Sequence, residues 1–393
     1  MDVMSRYKRT EVGVIPEEWK TVTTAEVVES NAPICYGVVQ VGRNVDRGIP
    51  IVAIKFVKEI AWAPLHRTAV NVEKPYARSR VKAGDVLISI KGTIGRVGVV
   101  PEGFDGNISR ELARLRPRQE YSSEYIAYQL EADVTQARIS KAVVGTTRLE
   151  FSIATLRQFD LPIPASLIEQ RAIAAALSDV DALLDGLNRL IAKKRDLKQA
   201  AVQQLLAGKA RLPGFHCEWE LKTLADVATV SKGEQLHSSE TNPDGNVPHY
   251  NGGISPSSYT DKANAPASTI AISEGGNSCG YVQLIEQRFW CGGHCYAVTP
   301  QGVDKRFLYH LLKGRQGEIM GLRVGSGLPN VQKSALTAFA LRVPVDPVEQ
   351  TAIAIVLSDM DAELSALETR RDKTKALKQA MMQELLTGRI RLV

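Results

Sequence analysis

The chain has 393 residues, 44% hydrophobic and 23% charged, and 49 Lys+Arg against 43 Asp+Glu leave a net charge of +6, which excludes a disordered or collagen-like protein and points to an acidic partner. No apolar run approaches the ~18 residues of a membrane span, and the opening MDVMSRYKRT is charged where a signal peptide needs an apolar core, so a cytosolic chain is expected. Five cysteines, an odd number, read as free thiols in a reducing compartment.

Residues 1–163 read as a mixed α and β block. Asp85-Val86-Leu87-Ile88-Ser89-Ile90 has the apolar run of a strand bounded by Gly-containing turns, and Tyr121 to Ala132 has the spacing of a short helix. Residues 164–212 read as one long helix. Ile173, Leu177, Val180, Leu184, Leu187 and Ile191 alternate by four and three, and the stripe drifts on to Leu197, Ala201 and Leu205 as a straight helix requires. Pro164 marks its start and Gly208 its stop. A second mixed block, residues 213–343, has a strand at Thr269 to Ser273 and a short helix at Lys305 to Leu312. Residues 344–393 form a second long helix, striped by Ile353, Leu357, Met360, Leu364 and Leu367, then Leu377, Met381 and Leu385, between Pro344 and Gly388.

The two helices are one sequence written twice. Pro164 to Leu212 aligns without a gap on Pro344 to Leu392 at an offset of 180, with 24 of 49 positions identical. Upstream the match loosens without vanishing: Gly145 falls on Gly325 and Leu156 on Leu336, Tyr125 to Tyr128 resembles Phe307 to His310, and Glu18-Trp19 resembles Glu218-Trp219. A period this long is a duplicated two-part unit and not a solenoid. A buried helix inside an ordinary domain would show the same stripe, but an isolated rod of ~60 Å needs a partner, and the matching stripe is the other copy.

Charge sets their direction. Residues 165–188 hold four acids and one base, residues 189–212 seven bases and one acid; 345–368 hold six acids and no base, 369–392 seven bases and two acids. Antiparallel pairing puts each acidic half beside a basic one, although the same polarity also suits each helix's own dipole.

Catalytic motifs are missing. The sequence holds no P-loop, no dinucleotide-type G-x-G-x-x-G after a strand, no N-P-P-[FY] or D-P-P-Y of an amino-methyltransferase and no H-E-x-x-H. Cys279, Cys291, His294 and Cys295 are the one metal-like group, but the Cys291-x3-Cys295 spacing is loose and His294 adjoins Cys295, so free thiols and no metal are expected. Two loop types suit nucleic acid. One follows the strand, with Lys91, Thr93 and Arg96 in the first block and Asn277 and Ser278 in the second; the other precedes the long helix, with Thr146, Thr147 and Arg148 in the first and Ser326 and Asn330 in the second. Glycines there let backbone amides approach a phosphate, and Arg and Asn can read base edges. Solvated hairpin turns have the same residue types, and the second block, with 11 bases against 11 acids, is neutral where phosphate contact calls for Lys and Arg.

At Leu161-Pro162-Ile163-Pro164 with Glu169-Gln170, repeated as Leu341-Arg342-Val343-Pro344 with Glu349-Gln350, and at Gly145-Thr146-Thr147 with its partner Gly325-Ser326-Gly327, the chain resembles a specificity subunit of a type I restriction–modification system over essentially its whole length. The resemblance implies an α+β architecture with an internal pseudo-two-fold: two target recognition domains, residues 1–163 and 213–343, on an antiparallel coiled coil of two conserved helices, 164–212 and 344–393. It implies a non-catalytic reader of a bipartite, asymmetric double-stranded DNA site. Two methyltransferase subunits would dock on the helices, with Glu169, Gln170, Glu349 and Gln350 as candidate docking residues, and restriction subunits would join through the complex. S-adenosylmethionine, ATP and magnesium would belong to those partners. A coiled-coil adaptor whose lobes bind proteins is the alternative, separated by a salt-dependent mobility shift on DNA with and without a methyltransferase subunit.

Overall fold

The computed structural model describes residues 7–144, 149–325 and 327–392. They form two units, Met1–Gly186 with Arg371–Val393, and Leu187–Arg370. Each unit therefore takes one mixed block, the adjoining half of its own long helix, and half of the other long helix. The helices span Leu167–Leu205 and Pro347–Leu385, 39 residues each and offset by the same 180 as the sequence repeat.

The two blocks have one topology. In the first unit a four-stranded antiparallel sheet runs in the order Cys35–Tyr36, Leu112–Leu115, Val86–Ser89, Val97–Val99; in the second the order is Ala228–Lys232, Cys295–Pro300, Thr269–Ser273, Val282–Ile285. Beside it lies a three-stranded sheet with one antiparallel and one parallel pairing, His66–Thr68, Ile49–Val52 and Asn107–Ile108 in the first unit, Ser258–Thr260, Val247–Tyr250 and Trp290–Cys291 in the second. A two-stranded ribbon leads into each long helix: Lys20–Thr23 with Asp160–Ile163, and Trp219–Thr223 with Ala340–Pro344. The expected short helices are present at Ser123–Glu131 and Lys305–Gly314.

The expectation that Pro164 and Pro344 start the helices is corrected by three residues. Pro344 is the last residue of its ribbon and Pro164 follows directly on its own, and their carbonyls accept the side-chain amides of Gln170 and Gln350 at 3.0 and 2.9 Å. The same glutamines accept the backbone N–H of Ser122 and Asp304, at 2.9 and 2.8 Å, just before the short helices. At the other ends, Gly208 and Gly388 take positive φ of 66° and 71°. There the amides of Lys209 and Arg389 reach back to the carbonyls of Gln204 and Glu384, closing the last turn. A Cβ on Gly208 would lie 3.3 Å from the Trp219 ring and one on Gly388 2.4 Å from Pro16. The Glu-Trp repeat is thus explained: Trp19 and Trp219 cover these glycines and stack edge-on against Tyr125 and Phe307, at 6.4 and 6.3 Å.

Within each unit the helix halves run antiparallel. In the first, Asp181 meets Lys378 and Glu169 meets Arg391; in the second, Lys194 meets Glu363, Arg195 meets Glu368, Lys198 meets Asp361 and Arg211 meets Glu349. From Glu169–Arg391 to Asp181–Lys378, and from Arg195–Glu368 through Lys198–Asp361 to Arg211–Glu349, one number rises as the other falls. Ile173, Ala174 and Leu177 share a core with Leu385 and Leu386, and Ile353, Ala354 and Leu357 with Leu205 and Leu206. One part of the expected stripe is wrong: Leu197 and Leu377 are 47% and 54% exposed. The inward positions beside them are held by Lys198 and Lys378, which need their side of the helix for Asp361 and Asp181.

Glu169 and Glu349 are 1% and 0% exposed, so removing Arg391 or Arg211 strands a buried carboxylate. Arg211→Ala or Arg391→Ala should cost about 3 kcal/mol in urea unfolding, whereas Lys194→Ala, at an exposed pair, should cost under about 1 kcal/mol. His310, 3.0 Å from Ser358 Oγ and facing Asp361, Lys198 and Arg306, is pushed down to about 4 by burial, against the pull of Asp361. The unfolded chain takes up this proton near the ordinary histidine value of about 6.5 and the folded one does not, so its contribution is whole above that pH and falls by about 1.4 kcal/mol per pH unit towards pH 4. His310→Tyr, copying Tyr128 at the matching place in the first unit, should flatten that part of the stability–pH curve.

Candidate nucleic-acid interface

In both units the central strand of the main sheet ends in a serine, and that serine shapes the loop after it. Ser89 Oγ donates to the carbonyl of Thr93 at 2.5 Å and accepts the Arg96 amide at 2.8 Å. Gln136 holds Gly95 from the other side through its carbonyl, at 3.0 Å. In the second unit the Ser273 hydroxyl donates to the carbonyl of Gly252 at 2.5 Å.

The second loop type folds as a hairpin onto the first. Val144 pairs with Glu150, and Glu150 with Lys91; in the second unit Val324 pairs with Asn330, and Asn330 with Gly275. Phe151 and Val331 continue the contact, donating to the carbonyls of Ile90 and Glu274 at 2.9 and 2.8 Å. The described residues that flank the second loop of each block are therefore bonded to the first loop, from which they are far apart in sequence. Thr146, Thr147 and Arg148, and Ser326, lie outside the described residues.

Of the remaining candidates, Thr93, Arg96, Asn277 and Asn330 have exposed side chains. Lys91 is half-buried and paired with Glu150 at 3.3 Å. Ser278 turns inward and donates to the carbonyl of Gly252 at 2.6 Å. The base of the second loop is acidic: Glu274 receives Lys232 at 2.7 Å and lies 3.1 Å from the Tyr296 hydroxyl, whose pKa burial and this carboxylate push up to about 12. Glu169, Gln170, Glu349 and Gln350 are corrected as docking residues. All four are buried and engaged inside their own units, so none presents a side chain to a partner.

The cysteines are separated by the second unit's main sheet. Cys279 lies in the large core while Cys291 and Cys295 lie in the smaller one, and among the described residues no three ligand-type side chains converge on a metal position. Nor is any described helix long and apolar enough to cross a membrane.

Two features were missed in the sequence. The segment carrying the small sheet, residues 37–85, holds 9 Lys+Arg against 4 Asp+Glu, whereas its counterpart, residues 233–268, holds 1 against 4. Charge counted over whole blocks conceals this; counted between sheet strands it is plain. The basic segment also carries Trp62, 76% exposed, an aromatic face available for stacking.

The family described as type I restriction modification DNA specificity domain matches residues 16–194 and 217–378. The type I restriction enzyme EcoBI specificity subunit of Escherichia coli is 27% identical over 50% of this chain and 43% of its own length, so the chain spans under half of that relative. The putative MjaX specificity subunit of Methanocaldococcus jannaschii is 24% identical over 98% of the chain and 97% of its length. The crystal structure of a type I restriction–modification S subunit from M. genitalium has the same fold, with a TM-score of 0.69 at 18% identity, over 93% of this chain and 96% of that one.

Ser89→Ala removes a loop pin without touching either main core. With ~1 kcal/mol lost, amides between 89 and 96 should exchange with deuterium about fivefold faster, and global stability should fall by no more than that ~1 kcal/mol.

Proposed function

Because the chain belongs to the type I restriction–modification DNA specificity family, we propose that it reads a bipartite, asymmetric double-stranded DNA site, one half with residues 1–163 and the other with 213–343. Residues 164–212 and 344–393 are the scaffold on which two methyltransferase subunits dock, through exposed helix faces that include Leu197 and Leu377. Restriction subunits join through that complex. The subunit is non-catalytic, and S-adenosylmethionine, ATP and magnesium act in its partners.

The observation that carries this reading is a repeated fold with unlike outer surfaces on nearly constant helices. A reader of two different half-sites needs one frame and two faces. The reading edge is assigned to Lys91, Thr93 and Arg96 with Thr146, Thr147 and Arg148 in the first domain, and to Asn277, Ser326 and Asn330 in the second, where Ser278 supports the loop from within. The basic segment 37–85 makes the first domain the stronger phosphate binder, and the second depends more on contacts to base edges and on charge brought by its partners.

Two experiments test the proposal on the chain assembled with its methyltransferase partner. Replacing residues 213–343 by the matching block of another family member should change one half of the methylated site and leave the other intact; a change in both halves would overturn the two-reader scheme. Arg96→Ala should weaken binding and, if it removes one phosphate contact, reduce the salt-dependence slope by about 1. A protein-binding adaptor would show no DNA shift in either form.

A further inference from the structure

On the outer face of the first unit's main sheet lies a cavity of about 520 Å³ that has no part in the loop surface described above. Arg78, Arg80, Lys82, Arg114, Arg116 and Arg157 line it, and Asp105 is the one carboxylate among its lining residues. Two of these cations are neutralised in place. Arg80 makes a double hydrogen bond to Glu73, at 2.8 and 2.9 Å, and Arg116 one to Asp85, at 2.7 Å twice.

Arg114 is not. It is 2% exposed, and among the described residues its guanidinium donates only to main-chain carbonyls: Pro33 at 3.0 Å, Arg78 at 3.2 Å and Arg80 at 3.4 Å. Its Nε is buried with no partner among the described residues. A buried charge held by carbonyls alone lacks the counter-charge that usually accompanies one. At the rim, Arg157 gives one N–H to the Ile34 carbonyl at 3.1 Å, and the Arg78 side chain is exposed.

The fold does not need these arginines. Ser89 pairs with Leu112 and its counterpart Ser273 with Cys295, so the residues two and four further along correspond: Arg114 to Ala297 and Arg116 to Thr299. The second unit builds the same sheet with a methyl group where the first buries a guanidinium. We propose that this cavity binds a phosphate group, with Arg114 supplying charge from its floor and Arg78 and Arg157 donating from its rim. Planar, always-charged guanidinium groups match phosphate oxygens in pairs, and the volume lies within the range of small-ligand pockets. The phosphate belongs either to a small phosphorylated molecule or to a DNA backbone.

Cys35 reports on it. It lines the cavity, is half-buried, and its Sγ lies 3.9 Å from the Arg78 carbonyl, whereas Cys217 is exposed elsewhere. Maleimide labelling of the full chain, read residue by residue by mass spectrometry, is followed against inorganic phosphate, pyrophosphate and a non-cognate DNA duplex, with chloride at equal ionic strength as control. Phosphate or pyrophosphate should slow Cys35 saturably, about tenfold at ten times the dissociation constant, with Cys217 unchanged; slowing by the duplex alone would assign the group to the DNA backbone. Arg78→Ala with Arg157→Ala, both at exposed positions, should abolish the protection while the melting temperature without ligand stays put. If neither phosphate nor duplex protects Cys35, or if the double variant is protected equally, the proposal falls.

Discussion

Everything in this molecule hangs on two buried carboxylates. Glu169 and Glu349 sit in the first turn of their helices, beside the glutamines that staple each helix to its own ribbon and short helix. A carboxylate at that depth is stable only with a cation on it. The cation is an arginine from the tail of the other helix, Arg391 for Glu169 and Arg211 for Glu349. The first unit is therefore incomplete without the last stretch of the chain: Glu169 and Arg391 are 222 residues apart. Such a contact closes late and slowly, because a long loop must be ordered before the pair rewards it.

The same constraint explains why the duplication persists inside and diverges outside. Trp19 over Gly388 and Trp219 over Gly208, Asp181 with Lys378 and Asp361 with Lys198, are the same joint built twice. Each member is held by its partner's shape or charge. Tyr128 and His310 show how far the joint bends: both reach the long helix, Tyr128 through Asp181 at 2.9 Å and His310 through Ser358. The outer segments carry no such obligation. One has become strongly basic and the other acidic, a divergence that a shared frame permits because neither surface supports the core.

Much of this architecture could be read before any coordinates. The repeat, the strand Thr269–Ser273, the positions of the short helices and the antiparallel direction all follow from spacing and charge, which are local or nearly so. The loops after the strands were recognisable by their glycines and donors, but residue type alone did not separate a reading edge from a solvated turn. Their union with the hairpins before the long helices depends on backbone bridges between residues such as Lys91 and Glu150, and those leave no trace in composition.

The sequence alone established a two-fold repeat of a mixed domain and a long helix, the antiparallel sense of those helices, and the family they resemble, because periodicity and charge balance are properties of the chain taken in order. Only the tertiary structure decided which polar residues face inward. Glu169, Gln170 and Arg114 look like surface residues in the sequence and are buried, while Leu197 and Leu377 look like core and are exposed. The physical reason is one rule in both cases. A polar group enters the interior where a distant part of the chain supplies its hydrogen-bond or charge partner, and that pairing exists only once the chain has folded back on itself.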